Sequence, residues 1–125
     1  MTIDRDEIKS DYLEWETGIP IRILIKDDPV KEMKNTTDGK KYPVYNIKVE
    51  NTVLKEVKKI QVFKSQYADM VKQADKKCGF KITSLVGCVF DYKVTIIKVE
   101  GKDDKWDTEL FLVNCPSDLV QLVGL

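Results

Sequence analysis

The residues of this chain best suited to chemistry are flat rings and cations set close together. Lys40, Lys41 and Tyr42 open a stretch in which Tyr42, Val44, Asn46 and Lys48 alternate with Tyr45, Ile47 and Val49. A second alternating run, Val57 to Phe63, sends Ile60 and Val62 to one side and Lys59, Gln61 and Phe63 to the other. Successive side chains of a strand point to opposite faces, so Tyr42, Asn46, Lys48, Lys59, Gln61 and Phe63 are expected together on an outward face. Rings on such a face can stack on nucleobases while lysines follow a phosphate backbone. Phe63 is the least expected member, being out of phase with the core side; in the alternative, Phe63 or Tyr42 packs under the helix or the amino-terminal segment. Lys105 and Trp106, after the polar turn at Gly101 to Asp104, offer a further cation and stacking ring, or else a tryptophan that closes the bottom of the fold. Arg22 alternates with isoleucines and is expected to reach solvent, where it meets either a phosphate or a surface ion-pair partner. Trp15 belongs with the rings or fastens down the amino-terminal segment. Arg5 and Arg22 are the only arginines, so dense bidentate reading of guanine edges is not expected and sequence-tolerant backbone contact fits better.

Other chemistries are poorly supplied. The chain has no histidine, which removes His-based triads, imidazole shuttles and His-ligated metals. The pairs Asp27-Asp28 and Asp103-Asp104 stand beside lysines, with no phosphate-cradling glycine motif, and read as solvated turns rather than a metal or acid–base site. Cys78, Cys88 and Cys115 form no C-x-x-C pair and read as reduced thiols of a cytoplasmic protein, not as a zinc knuckle or disulfide framework. No enzyme activity, metal or cofactor is therefore expected. The 21 basic and 21 acidic side chains cancel, so a polyanion would have to be held by a local patch.

Elements must position these residues, and 125 residues with 42% apolar content suffice for one core without disulfides or metal. Residues 1–16 are acidic and read as a separate amino-terminal segment, either a short amphipathic helix or an edge strand; residues 17–125 read as a single domain. The start lacks the basic and apolar runs of a signal peptide, and no apolar stretch approaches a membrane span, so a soluble intracellular protein is expected. Ile19, Ile21, Ile23 and Ile25 alternate as a first strand. Asp27 to Lys41 is polar and reads as a long connection with a turn at Asp38-Gly39. Tyr42 to Glu50 and Val57 to Phe63 make a hairpin. Ser65 is placed to cap a helix with the apolar stripe Tyr67, Met70, Val71 and Ala74, ended by Gly79. Cys88 to Val99 and Trp106 to Cys115 form a second hairpin, and Ser117 precedes a final apolar turn.

The order strand, long loop, hairpin, helix, hairpin is that of a mainly β, five-stranded OB-fold-like Greek-key barrel with its helix between strands three and four. Tyr12-Leu13-Glu14-Trp15-Glu16-Thr17-Gly18-Ile19-Pro20-Ile21-Arg22-Ile23-Leu24 resembles the opening of single-stranded-DNA-binding OB proteins of phages and archaea, where an apolar stretch, a glycine turn and a first-strand arginine recur. Tyr42 to Phe63 with the following helix is similar in layout to the replication protein A type of barrel. The resemblance spans most of residues 12–115 and is one of pattern. It implies a viral or archaeal protein of replication or repair that binds single-stranded DNA, or also RNA; the residues expected to carry the binding, from the alternation and loop positions above, are Arg22, Lys40, Lys41, Tyr42, Asn46, Lys48, Lys59, Gln61, Phe63, Lys105 and Trp106. A rival reading is a protein-interaction or self-association module that uses the same barrel or its apolar tail, Leu119 to Leu125.

Overall fold

The computed structural model describes residues 11–79 and 81–116. Its elements run β1 (Ile21–Ile25), β2 (Val30–Asn35), β3 (Lys41–Asn51), β4 (Glu56–Phe63), α1 (Lys64–Cys78), β5 (Val89–Ile97) and β6 (Lys105–Asn114). The fold is mainly β: one antiparallel sheet with strand order β2-β3-β1-β5-β6, and β4 paired to β3. Among the described residues β4 and β6 are not paired with each other, so the sheet is open rather than the closed five-stranded barrel expected.

The polar stretch expected to be a connection contains β2. Neither of its faces is apolar and nearly all of it is exposed, so it carries no hydrophobic alternation to read. β1 and β2 lie end to end along one edge of β3. Ile23 to Ile25 face Asn51 to Val49, the Lys26 amide donates to the Lys48 carbonyl at 2.9 Å, and Val30 to Asn35 face Asn46 to Lys41. Three residues separate Lys26 from Val30 against one between Lys48 and Asn46, so the long strand bulges at Asp27 to Pro29. A proline, with no N–H to give a ladder, suits such a bulge.

The core is built from the inward residues of these strands, with Ile23, Ile25, Ile47, Val49, Ile60, Val62, Phe90 and Val94 all buried. Ile19 precedes β1 and is exposed. From α1, Met70 and Ala74 are fully buried and Tyr67 and Val71 pack against the core, which is the stripe read from the sequence. β4 passes directly into the helix, so the cap position falls on Phe63 rather than Ser65; the Phe63 amide donates to the Gln66 side-chain oxygen at 2.8 Å. Gly79 ends the helix in the left-handed conformation, φ 80°, and its amide donates to the Asp75 carbonyl. Gln73 secures the edge of β6: its amide nitrogen donates to the Leu110 carbonyl at 2.7 Å and its oxygen accepts from the Leu112 amide at 2.9 Å.

Cys78, at the end of α1, and Cys115, just beyond β6, are joined by a disulfide, which corrects the expectation of three reduced thiols. Their separation of 37 residues gives no local spacing signal. Cys88 is free and buried. Next to that junction Gly87, φ +90°, packs on Pro116 so closely that a Cβ there would lie 3.0 Å from the proline ring. No described helix is long and apolar enough to cross a membrane.

Candidate functional site

The register of β3 against β4 sets Val44 opposite Phe63, Asn46 opposite Gln61 and Lys48 opposite Lys59. The residues singled out by alternation therefore do share one face, and β2 extends it with Glu32 opposite Val44 and Lys34 opposite Tyr42. Phe63 is 54% exposed and leans on Tyr42, ring centroids 6.1 Å apart and tilted by 48°. Val44 lies between Tyr42 and Asn46 on this outward side and is nonetheless buried. Lys48 meets Asp27 at 3.5 Å, with both side chains well exposed, a pair that contributes little to stability and exchanges readily.

The amino-terminal segment pairs with β4 and then with β5. Tyr12 bridges in parallel to Lys59; the Leu13 amide donates to the Lys59 carbonyl and the Lys59 amide to the Asp11 carbonyl, both at 2.9 Å. Farther along, the Gly18 amide donates to the Val94 carbonyl at 2.8 Å and the Ile96 amide to the Thr17 hydroxyl at 2.9 Å. Leu13 enters the core at 7% exposure. The segment is thus a strand-like strap attached to both β4 and β5.

Beside the strap is a cleft of about 720 Å³, lined by Tyr12, Trp15, Phe63 and Trp106 together with Lys34, Lys59 and Gln61. Trp106 is 67% exposed and lies edge-on to Trp15, centroids 5.3 Å apart. It is the second residue of β6, opposite Ile96, on the same side of the sheet as Tyr92 and Val94. The Lys59 ammonium sits 4.8 Å from the centre of the Tyr12 ring, a cation–π contact. Glu14 is the acidic residue in the lining, against Lys34 and Lys59. Tyr92, also in the lining, is buried, and burial pushes its phenol above the ordinary tyrosine value.

A row of polar side chains crosses the face beside the cleft. The Lys34 ammonium donates to the Gln61 oxygen at 2.8 Å, the Gln61 nitrogen to the Asn46 oxygen at 3.0 Å, and the Asn46 nitrogen to the Glu32 carboxylate at 2.9 Å. A smaller depression of about 350 Å³ lies beyond it, lined by Asn46, Lys48 and Lys59 with Asp27, Asp28 and Val30.

The remaining expected residues sit elsewhere. Arg22 pairs with Asp91 across β1 and β5, Nε to carboxylate at 3.0 Å, and that hydrogen bond and charge raise its pKa further. It holds the ion pair that was its alternative. Lys40 and Lys41 stand at the exposed β2–β3 turn and the start of β3, and Lys105 is the exposed first residue of β6. Lys34, Glu32 and Tyr12 were not anticipated, because β2 shows no apolar alternation and residues 11–18 form no regular element. The tail Leu119 to Leu125 lies outside the described residues, as does the acidic stretch 1–10. Compared with models of known protein families, with curated proteins and with solved structures, the chain matches none.

Proposed function

We propose that the chain binds single-stranded nucleic acid, DNA in the first instance, in the cleft and along the outward face of β2, β3 and β4. The observation that carries the reading is that two largely exposed rings, Phe63 and Trp106, share one cleft with Lys34 and Lys59. Exposed aromatics at the mouth of a cleft are costly unless something covers them, and a base can stack on a ring without regard to its identity. Lys40, Lys41, Lys48 and Lys105 flank this track and supply phosphate contacts, with counterion release as part of the driving force. Arg22 is left out of the interface.

The same reading makes the open sheet an OB-like barrel with a substituted seam. In its support, β1 pairs with β3 and β5, β3 with β4, and β5 with β6, with the helix following β4 in the chain. Where such a barrel would join β4 to β6, residues 11–13 pair with β4 at Lys59 and the Trp15 ring meets Trp106 of β6. The reading is tested by titrating a labelled mixed-sequence single strand and its duplex at low and moderate salt, following anisotropy and tryptophan emission. Single-strand preference, quenching and weakening by salt are expected. No binding at low salt, or equal binding of the duplex, overturns it.

A further inference from the structure

The polar row across β2, β3 and β4 has its direction fixed at both ends. An ammonium can only donate and an ionised carboxylate can only accept. Lys34 at one end therefore holds the Gln61 oxygen toward itself, which turns the Gln61 nitrogen to the Asn46 oxygen and the Asn46 nitrogen to Glu32. Each amide retains one N–H and one oxygen lone pair beyond these bonds. Gln61 is only partly buried, lines the cleft, and stands two residues before Phe63 on the same face of β4. That spacing is about 7 Å, close enough for the edge of a base stacked on Phe63 to reach the amide. An amide that offers a donor and an acceptor together matches the N7 acceptor and N6 amino donor of adenine.

We propose that Gln61, oriented by Lys34 and by Asn46 with Glu32, reads adenine at the nucleotide stacked on Phe63, giving one selective position in an otherwise sequence-tolerant track. The inference rests on the single-strand reading above, and the test separates the two. Oligomers of deoxyadenosine, of 7-deaza-deoxyadenosine and of thymidine are titrated against the wild-type chain and the Gln61→Ala variant. The deaza base keeps the purine ring for stacking and loses the N7 acceptor. The wild-type chain is expected to bind the adenine oligomer at least about fivefold more tightly than its deaza counterpart, the lower end for a bidentate amide–base pair. In Gln61→Ala the ratio of adenine to deaza-adenine affinity should fall to about one, whatever the variant's affinity for thymidine oligomers.

Equal wild-type affinity for the adenine and deaza oligomers overturns the adenine assignment and leaves strand binding standing. So does a difference that survives in Gln61→Ala. Failure of every oligomer to bind overturns both readings. Free adenosine monophosphate serves as a competitor: if it displaces the oligomer at concentrations comparable to the strand, the site takes a lone nucleotide and the assignment to a strand position is wrong.

Discussion

Replacing Trp106 by alanine should weaken single-strand binding by about 5- to 140-fold, which corresponds to the roughly 1–3 kcal/mol of one stacked base. The structure separates this effect from damage to the fold. Trp106 is 67% exposed, so about a third of a side chain that would bury at most ~250 Å² is covered, and its loss costs at most ~2 kcal/mol of stability. With a stability change of roughly 4 °C per kcal/mol at this chain length, the melting temperature should fall by no more than about 8 °C. Phe111 provides the control, being an exposed ring, at 59%, on the opposite side of the same strand and outside the cleft lining. Phe111→Ala should leave strand affinity within twofold. The assay is anisotropy of a labelled mixed-sequence single strand at low salt, with a thermal melt of each variant. Should Trp106→Ala bind as the wild type does, or Phe111→Ala lose as much, the stacking argument fails.

Three further outcomes follow from named contacts. Lys59→Ala should reduce the slope of log affinity against log salt by about 0.7, the value for one phosphate contact on a single strand, which a salt titration of the variant checks. Reducing the Cys78–Cys115 bridge, or Cys78→Ser, should lower stability by about 3–4 kcal/mol, because the closed loop spans 37 residues, and denaturant unfolding with and without dithiol reductant measures it. Burial pushes the Cys88 thiol up to about 11 from 9.0. With the folded value raised, the folded chain keeps a proton that the unfolded chain gives up, so this contribution is whole below about pH 9 and is lost as pH rises toward 11. Burial raises Tyr92 in the same direction. Denaturant melts between pH 8 and 10 should show falling stability in the wild type and a shallower fall in Cys88→Ala.

What was legible in the sequence was whatever had one apolar and one polar face. The alternation of Tyr42 to Glu50 and of Val57 to Phe63 gave both the hairpin and the shared face of Tyr42, Asn46, Lys48, Lys59, Gln61 and Phe63, since a side-chain period of two leaves a single register consistent with the core. The helix stripe was legible for the same reason, although its first residue was not, because β4 runs into it with no loop between Phe63 and Lys64. β2 escaped because both its faces are wet: Val-Lys-Glu-Met-Lys-Asn is held by backbone pairing to β3, which leaves no hydrophobic period. The disulfide escaped because topology, not spacing, brings the end of α1 beside the end of β6. The roles of Tyr12 and Lys34 depend on long-range pairing with Lys59 and Gln61 that no local pattern encodes.

The open seam and the cleft have one cause. A direct β4–β6 ladder would hold the strands about 4.8 Å apart and leave no room between their facing side chains for a planar ligand. Here the edge of β6 is secured at Leu110 and Leu112 by Gln73 from the helix, and the edge of β4 at Lys59 by the strap. Each edge is satisfied by a different partner, so the strands need not meet, and the unpaired backbone that invites aggregation is still covered at those points. Leu13 keeps the strap in place from the core side while Tyr12 and Trp15, its neighbours in the chain, line the cleft. The strap therefore both closes the core and forms one wall of the site, which ties any ligand that contacts Trp15 or Tyr12 to the stability of the whole sheet. A bound single strand should accordingly raise the melting temperature in proportion to the logarithm of its concentration above the dissociation constant.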